Sequence, residues 1–430
     1  MRNIIKEPLI RSERYFNRGF LTKETIEVAL DKCIRKIDRN IEIFGENFPT
    51  PATKDNTYGV MDNTEWTNGF WTGILWLAYE YTKDNKYKEL AEKNVESFYN
   101  RIVNNIEVSH HDLGFLYIPS CVSAYKLTGN KMAYDAAIMA ADTLIKRYQE
   151  KGEFIQAWGE LGVADNYRLI VDCLLNIPLL YWATEVTEEG KYKEIAEKHF
   201  KTTIANAVRD NASAYHTFYF DPSTGNPVGG KTRQGYSDDS SWARGQAWLI
   251  YGIALNHFHN IDEENINTFE AVANYFINRL PEDFICYWDL IFNDGSGQSR
   301  DSSSAAIAVC GFNLMDKFLL ETDELKSVYR YVQHSMLASL INNYTDFTIV
   351  KSCEDALRLV EGGFPIEELN IGNVHAAEGK EKISQFIYLG EKDKEALRVL
   401  RDKYNVKFNT KTSPVSDDGV KSIEALNNAL

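Results

Sequence analysis

The chain has 430 residues, a formal net charge of −15 at pH 7 and no long run of basic residues. Proteins that bind nucleic acid usually present a basic patch, and a helix that spans a membrane needs about 20 consecutive apolar residues. Neither pattern occurs in this sequence, so we expect neither nucleic acid nor a membrane as a partner.

Apolar residues recur at positions i, i+3, i+4 and i+7 through most of the chain, which predicts one helix after another. Helices that are apolar nearly all round, such as the one containing residues 73–79, alternate with amphipathic helices. A helix that is apolar all round is expected to be buried on every side. The predicted helices lie near residues 22–43, 66–83, 86–105, 113–128, 131–149, 165–185, 190–209, 239–257, 264–279, 301–319 and 322–342.

The links between these helices differ in length. A short turn joins each buried helix to the amphipathic helix that follows it, whereas longer links rich in His, Trp, Asp and Gly lead to the next buried helix. This alternation predicts an all-α fold, an (α/α)6 barrel of six helical hairpins with its long loops at one mouth. A chain of this length exceeds the usual size of a single core, but in a barrel each hairpin adds its own layer. Eleven helices are found, and six hairpins need twelve.

Aromatic residues make up 13% of the chain. They form a large core, or some of them line a sugar cleft, because flat aromatic rings stack on the C–H faces of sugars. Trp66 illustrates both alternatives. It follows polar residues suited to capping a helix, and it either packs in the core or contacts a ligand.

Two histidines and an aspartate, His110, His111 and Asp112, stand just before the predicted helix at 113–128. In one interpretation Asp112 caps the helix and the histidines lie at the surface; in the other the group belongs to a site. Adjacent histidine side chains diverge, and the sequence contains no HExxH motif or other spaced set of ligands. We therefore expect no metal ion and no other cofactor.

Asp172 lies within the most apolar predicted helix, residues 165–185. An ionised carboxylate buried alone is very costly. Either Arg168, four residues earlier on the same helical face, pairs with Asp172, or Asp172 faces a cleft where burial raises its pKa towards that of a general acid. Pro178 predicts a kink in this helix.

The stretch from residue 215 to residue 248 combines two polar and aromatic segments, YHTFYFD and KTRQGYSDDSSWARGQAW. It gathers cations, amides and aromatic residues before a buried helix, a composition that suits an anionic sugar. The residues concerned are Lys231, Arg233, Gln234, Trp242 and Arg244.

Residues 351–430 differ from the rest, since they contain no Trp and few Tyr. We expect a catalytic barrel in residues 1–350 and an atypical C-terminal segment in residues 351–430. A charged helix predicted at 380–401 could supply the last barrel helix. The N-terminus lacks the apolar core of a secretory signal. The six scattered cysteines, without CxxC spacing, favour reduced, buried thiols and a cytoplasmic location.

The segments HHDLGF, DNYRLIVDCLLNIPLL, YHTFYFDP and SDDSSWARGQAW, in this order, resemble those of the unsaturated glucuronyl hydrolases over residues 20–345. The resemblance implies cytoplasmic (α/α)6-barrel enzymes that act on small anionic oligosaccharides left by polysaccharide lyases. It implies that Asp172 is the general acid and base and that Asp112 is its partner carboxylate. The positions that the resemblance places along the substrate site are Trp66, His111, Trp158, His216, Arg233, Gln234 and Trp242.

Some relatives have His where this chain has Arg233, and the resemblance links Arg at this position with sulfated glycosaminoglycan disaccharides. Three alternatives stay open: an unsaturated rhamnogalacturonyl hydrolase, an ordinary inverting glycosidase on the same barrel, and a sugar-binding protein without catalysis. The family usually closes its barrel with a segment like GDYFYLEAL, which residues 351–430 lack.

Overall fold

The computed structural model divides the chain into two compact units, residues 1–345 and residues 346–430. The residues that the structure describes are 4–54, 57–344, 357, 361, 368–371, 386–387, 393–405 and 407–409.

Helices dominate the first unit, as the apolar periodicity predicts, and about 58% of the structure is helical. No described helix is both long and apolar enough to cross a membrane. The α-helices of this unit are α1 (Glu13–Phe16), α2 (Lys23–Phe44), α3 (Asn68–Thr82), α4 (Asn85–Val103), α5 (Leu113–Tyr117), α6 (Ser123–Thr128), α7 (Lys131–Ile145), α8 (Pro178–Thr187), α9 (Gly190–Ala207), α10 (Ala243–His259), α11 (Glu263–Asn278), α12 (Ser302–Met315) and α13 (Glu324–Ser339).

Helix boundaries follow from capping residues. The side chains of Asp84, Asn130 and Asp323 each accept a backbone N–H of the following first turn, which begins α4, α7 and α13. Gly129 ends α6 in the left-handed conformation. Consecutive helices pack against each other as hairpins: α3 with α4, α8 with α9, α10 with α11 and α12 with α13. A π-helical turn at Ile118–Val122 joins α5 to α6.

The prediction of one helix over residues 165–185 is wrong. Arg168–Ile170 forms a strand, Val171–Leu175 forms a 3-10 helix, and α8 begins only at Pro178. Pro178 starts the helix rather than kinking it, since its missing N–H is not needed in the first turn. Period alone does not separate a short apolar strand from a buried helix, and here the strand is selected by pairing with a distant segment.

The described residues of the first unit contain seven short strands, and none of them was predicted. β1 and β2 form one antiparallel pair, β3 and β4 another, and β5, β6 and β7 form an antiparallel sheet in that order. The segment around residue 217, expected to be a loop, is β6. The strands are β1 (Phe48–Lys54), β2 (Thr57–Met61), β3 (Tyr148–Gln149), β4 (Phe154–Ile155), β5 (Arg168–Ile170), β6 (Thr217–Phe220) and β7 (Pro227–Lys231).

The prediction that α3 is buried on every side is wrong along one stripe. Phe70, Ile74, Leu77 and Tyr81, spaced three or four residues apart, are all exposed, and Leu77 is 65% exposed. The opposite face of α3 packs in the core, where Leu75 is fully buried. The sequence predicts an apolar helix correctly, but burial depends on what packs against each face.

The cysteines are only partly as predicted. Cys121, Cys173 and Cys286 are buried free thiols, whereas Cys33 and Cys310 are exposed. Among the described residues no disulfide is formed.

The described part of the second unit contains strands as well as helix. β8 (Glu368–Ile371) pairs in parallel with both β9 (Phe386–Ile387) and β10 (Lys407–Asn409), and α14 (Asp393–Asp402) connects β9 to β10. Of the helix predicted at 380–401, the part from Asp393 onwards is helical, the prediction is wrong at Phe386–Ile387, and the other positions lie outside the described residues. The predicted all-α class therefore describes the predominantly helical first unit only apart from its short strands, and it does not describe these strands of the second unit.

Candidate active site

His111 stands between the two aspartates singled out by the sequence. Its Nε2 atom lies 3.3 Å from Oδ1 of Asp112 and 3.7 Å from Oδ1 of Asp172. His111 is 1% exposed, whereas the Asp172 side chain is 18% exposed. The fold thus brings together residues 60 positions apart and leaves one carboxylate accessible to a ligand.

A glycine allows this approach. A Cβ atom on Gly114, in the first turn of α5, would lie only 2.2 Å from the Cα of Asn176. The Asn176 side chain in turn accepts the Phe115 N–H at 2.9 Å. The beginning of α5 is therefore joined to the end of the 3-10 helix that carries Asp172, which holds Asp112 and Asp172 in register.

Asp112 is surrounded by groups that favour its ionised form. Burial tends to raise the pKa of Asp112, but His111, His110 and a hydrogen bond from Trp158 together hold it below its usual value. Trp158 also stacks on His110, with ring centroids 4.3 Å apart. Asp112 occupies the N-cap position of α5 without a side-chain capping bond, and both histidines are buried. The interpretation of a capping aspartate with surface histidines is therefore wrong.

Asp172 has the opposite character. Burial, and then the negative charge of Asp112, raise the pKa of Asp172 well above its usual value, and Arg244 only partly offsets them. The expected pairing with Arg168 does not occur: that guanidinium donates to the Asp165 carbonyl at 2.9 Å and approaches the Asn166 side chain. It points away because the backbone between residues 168 and 172 is a strand and a 3-10 turn. The surroundings therefore favour the neutral form of Asp172 and the ionised form of Asp112.

His216, Arg233, Gln234 and Trp242 also come together. His216 Nδ1 accepts the backbone N–H groups of Arg233 at 2.9 Å and Gln234 at 3.1 Å, and the His216 ring lies 4.7 Å from Trp242. Burial lowers the pKa of His216 to about 4, so its ring is neutral near pH 7. The Arg233 and Gln234 residues are exposed. His216, the residue immediately before β6, therefore holds the loop that carries Arg233 and Gln234.

Trp66 belongs to an aromatic cluster. Its ring lies 5.7 Å from Phe115 and 6.1 Å from Phe70, and Phe115 lies 5.3 Å from Trp248. Trp66 is half-buried, so it both packs and offers a surface. The sequence did not single out Trp248 as a member of this cluster. Its place six residues after Trp242, in the same aromatic segment, is a signal that could have done so.

Arg147 was also missed. This buried arginine donates to the carbonyls of Gln156 at 2.9 Å, Ser109 at 3.0 Å and Gly159 at 2.9 Å. It thereby fastens the loop before Asp112 to the loop that carries Trp158. Burial lowers the pKa of Arg147 to about 10, and a lone arginine at the end of α7 carries no sequence signal for this position.

Arg244, which the sequence analysis placed near the site without a role, donates to Asp301 at 3.3 Å and to Ser303 at 2.6 Å. Its guanidinium carbon lies 4.8 Å from the Trp242 ring centroid. The positive charge of Arg244 partly offsets the raised pKa of Asp172. Its carboxylate partner, Asp301, is the N-cap residue of α12.

The donor atoms of His111, Asp112 and Asp172 lie within 4.8 Å of one another, a spacing that could admit a metal ion. A metal ligand must be deprotonated, and the raised pKa of Asp172 opposes this. The expectation of no metal ion stays a prediction.

The C-terminal residues match a different group of proteins. The profile of the PTS system sorbose subfamily IIB component matches residues 327–428. The N-acetylgalactosamine-specific phosphotransferase enzyme IIB component 1 of Escherichia coli is 35% identical over 57 residues, which are 13% of this chain and 36% of that protein. This similarity accounts for the change of composition after residue 350 and covers a small part of the chain.

The remainder of the chain is similar to hydrolases. An unsaturated chondroitin disaccharide hydrolase of Streptococcus agalactiae is 57% identical over 344 residues, covering 80% of this chain and 86% of the relative. The unsaturated glucuronyl hydrolase of Bacillus sp. strain GL1 is 41% identical, covering 72% and 82%. A crystal structure of the enzyme from Streptococcus agalactiae superimposes with a TM-score of 0.80 at 56% identity, covering 80% of this chain and 87% of that one. Because the family profile also matches residues 37–355, this chain belongs to glycosyl hydrolase family 88.

Proposed function

We propose that this chain hydrolyses unsaturated glucuronyl disaccharides that lyases release from glycosaminoglycans such as chondroitin, by hydration of the C4=C5 double bond. The observation that carries the proposal is the pair of unlike carboxyl groups on either side of His111: a partly exposed Asp172, whose pKa is raised, and a buried Asp112, whose pKa is lowered. The relatives named above, and a structure of an aspartate-to-asparagine variant complexed with dGlcA-GalNAc6S, support the substrate class.

The substrate is an enol ether conjugated to a carboxylate, and its double bond is the reactive point. Asp172 donates its proton to C4, which leaves an oxocarbenium-like centre at C5. The carboxylate that results then accepts a proton from water as the water oxygen bonds to C5. The hemiketal opens and releases the second sugar. A single group that first donates and then accepts a proton is general acid and base catalysis at one position.

The neighbours of Asp172 prepare it for this step. Asp112 keeps the pKa of Asp172 raised through its charge and offers oxygens to sugar hydroxyls. His111 lies between the two carboxyl groups and is neutral near pH 7, because burial lowers its pKa to about 4. Trp66 and Trp242 offer aromatic surfaces to the sugar rings.

The geometry disfavours an ordinary inverting glycosidase. Such enzymes separate their two carboxyl groups by about 6.5–9.5 Å to admit a water molecule. The nearest oxygens of Asp112 and Asp172 lie within 4.8 Å of one another. Control of one carboxyl group's pKa by the charge of the other suits this distance better than attack by water between them.

We also propose the finer architecture that the hairpins indicate, an (α/α)6 barrel in residues 1–350. The packing of α3 with α4, α8 with α9, α10 with α11 and α12 with α13 supports it, as does the packing of α10 on α12. Residues 351–430 are proposed to form an atypical C-terminal segment, and the helix predicted at 380–401 as the last barrel helix stays a prediction. The free thiols favour a cytoplasmic location, which fractionation of the producing cells checks.

The first test is direct. Hydration removes the conjugated double bond, so the ultraviolet absorbance of an unsaturated chondroitin disaccharide should fall on incubation with the protein. Asp172→Asn is the matched control for contaminating hydrolases. Binding without loss of absorbance would instead support a non-catalytic sugar-binding protein. Activity on unsaturated rhamnogalacturonyl substrates alone would support an unsaturated rhamnogalacturonyl hydrolase.

The second test concerns sulfate. We predict that Arg233 favours sulfated substrates, because a guanidinium binds sulfate through two parallel donors and imidazole does not. Arg233→His should lower the ratio of kcat/KM for sulfated over unsulfated disaccharide by about tenfold, in line with a charge-assisted hydrogen bond. An unchanged ratio contradicts this assignment.

A further inference from the structure

A buried carboxylate that the proposed mechanism does not use lies against the β7–α10 loop, residues 232–242. Asp289, in the segment between α11 and α12, is 0% exposed. Within the described part of the chain its partners are hydrogen-bond donors, and no cation forms an ion pair with it. Burying a carboxylate is costly unless such donors replace its bonds to water. The place of Asp289 in the fold therefore depends on the groups that donate to it.

These donors come from two loops. Oδ2 of Asp289 accepts the Tyr236 backbone N–H at 2.9 Å and the Ser240 hydroxyl at 2.7 Å. Its Oδ1 accepts the Ile291 N–H at 3.1 Å. A Cβ atom on Gly235 would lie 3.1 Å from Oδ2, so the carboxylate packs directly against the β7–α10 loop. Hydrogen bonds to a carboxylate are stronger than those between neutral groups, and this one side chain joins the β7–α10 loop to the loop before α12.

The backbone around Asp289 is joined to the end of the same loop. Trp242 and Asp289 form an isolated antiparallel bridge, and the Leu290 N–H donates to the Ser241 carbonyl at 2.9 Å. The place of Trp242, the last residue before α10, is therefore tied to that of Asp289 through both backbone and side chain.

The β7–α10 loop carries three of the residues that the resemblance places along the substrate site, Arg233, Gln234 and Trp242. His216 fixes the start of the loop by accepting the backbone N–H groups of Arg233 and Gln234. Asp289 fixes the middle and the end of the loop. Because Asp289 is fully buried, it can affect a bound saccharide only through the loop that it holds.

We propose that Asp289 is a positioning residue for substrate binding, which holds the β7–α10 loop in the conformation that presents Arg233, Gln234 and Trp242 to the saccharide. The carboxyl groups of Asp112 and Asp172 lie on other elements, α5 and the 3-10 helix. Loss of the Asp289 contacts therefore weakens binding and leaves the chemical step in place. The inference rests on the proposed function.

The test compares Asp289→Ala, which removes all three hydrogen bonds, with Asp289→Asn, which keeps the size of the side chain and an acceptor for the Tyr236 N–H. In Asp289→Ala the KM for an unsaturated chondroitin disaccharide should rise at least about tenfold with kcat within about twofold, in line with lost hydrogen bonds to a charged group. Asp289→Asn should have an intermediate KM.

Asn274→Ala is the matched control for a general loss of stability. It removes a buried side chain of α11 that donates to the Glu7 carbonyl at 2.8 Å and accepts the Tyr329 hydroxyl at 3.0 Å. Its melting temperature should fall and its KM should equal that of wild type. An unchanged KM in Asp289→Ala, or a fall in kcat without a rise in KM, overturns the inference and leaves the proposed function intact.

Hydrogen exchange gives a second measurement that is independent of turnover. In Asp289→Asn, which is expected to stay folded, amides of residues 232–242 should exchange severalfold faster than in wild type, and those of α4 should not change. Unchanged exchange in residues 232–242 overturns the inference. Wild-type protein that binds the disaccharide without hydrolysing it, with an affinity that falls in Asp289→Asn, overturns the proposed reaction alone.

Discussion

At the scale of single residues, two aspartates of the same type receive opposite properties from their surroundings. Asp112 has hydrogen-bond donors and two histidines around it, so its ionised form is favoured. Asp172 has an unpartnered Oδ1 atom and faces the charge of Asp112, so its neutral form is favoured. The proposed division of labour between a proton donor and a charged neighbour rests on burial and distance, not on residue identity.

We predict that Asp172→Asn removes activity without loss of stability. The change keeps the size of the side chain and removes the proton, so kcat/KM should fall at least about 100-fold. Because the folded pKa of Asp172 is raised, its stabilising contribution is present below the unfolded pKa of about 3.9 and is lost as pH rises through the folded pKa. The melting temperature of the variant at pH 7 should therefore equal or exceed that of wild type. A clearly lower melting temperature would contradict the assignment of a neutral Asp172.

We predict a bell-shaped dependence of kcat/KM on pH. The rate should fall at low pH as Asp112 is protonated, and at high pH as Asp172 loses its proton, with apparent pKa values that belong to the pair. Asp112→Asn removes the like charge, so the alkaline limb of its residual activity should shift down by about one unit. Asp135→Asn, an exposed change on α7, is the control. An alkaline limb that stays in place contradicts the coupling.

At the scale of elements, the site is assembled from segment ends. The start of α5 brings Asp112, the 3-10 helix brings Asp172, and the turn after β7 brings Arg233. Arg147 joins two of the loops through backbone carbonyls. Helix α3, in contrast, has one apolar stripe that is exposed.

We predict that the exposed stripe of α3 contributes little to stability. Leu77→Lys should change the free energy of unfolding by no more than about 0.5 kcal/mol, since the side chain is already exposed. It should also reduce aggregation and the binding of a hydrophobic dye. Leu75→Ala, on the buried face of the same helix, should cost about 2–5 kcal/mol. A large loss of stability from Leu77→Lys would mean that this face is covered in solution.

At the scale of the whole molecule, one chain combines a unit similar to disaccharide hydrolases with C-terminal residues similar to a phosphotransferase IIB component. Asp112 and Asp172, with their hydrogen-bonded neighbours, lie within the first unit. The segment with which the family usually closes its barrel lacks a counterpart in residues 351–430. We therefore expect changes in the C-terminal residues to affect substrate binding by this chain more than the chemical step.

We predict that substrate binding is weaker than in a chain with the family's own C-terminal part. In a chimaera, residues 346–430 are replaced by the corresponding end of the Streptococcus agalactiae relative. KM should fall at least severalfold and kcat should change little, because the carboxyl pair is untouched. Equal KM values for the two proteins, or a rise in kcat alone, would show that the tail is not what limits binding.

The sequence by itself determined most of the helices and their hairpin turns, and it singled out Asp112, His111 and Asp172, which the fold brings together. Apolar periodicity and capping residues act locally, so α4, α7 and α13 could be predicted from them. The pairing of β5 with β6 joins residues about 50 positions apart, so period alone assigned Asp172 to a helix. Tertiary structure also decided the unlike pKa values of Asp112 and Asp172, because burial and Coulomb interactions depend on distances that no local pattern contains. For the same reason, only the tertiary structure shows that Arg147 joins the two loops beside Asp112 and that one face of α3 is exposed.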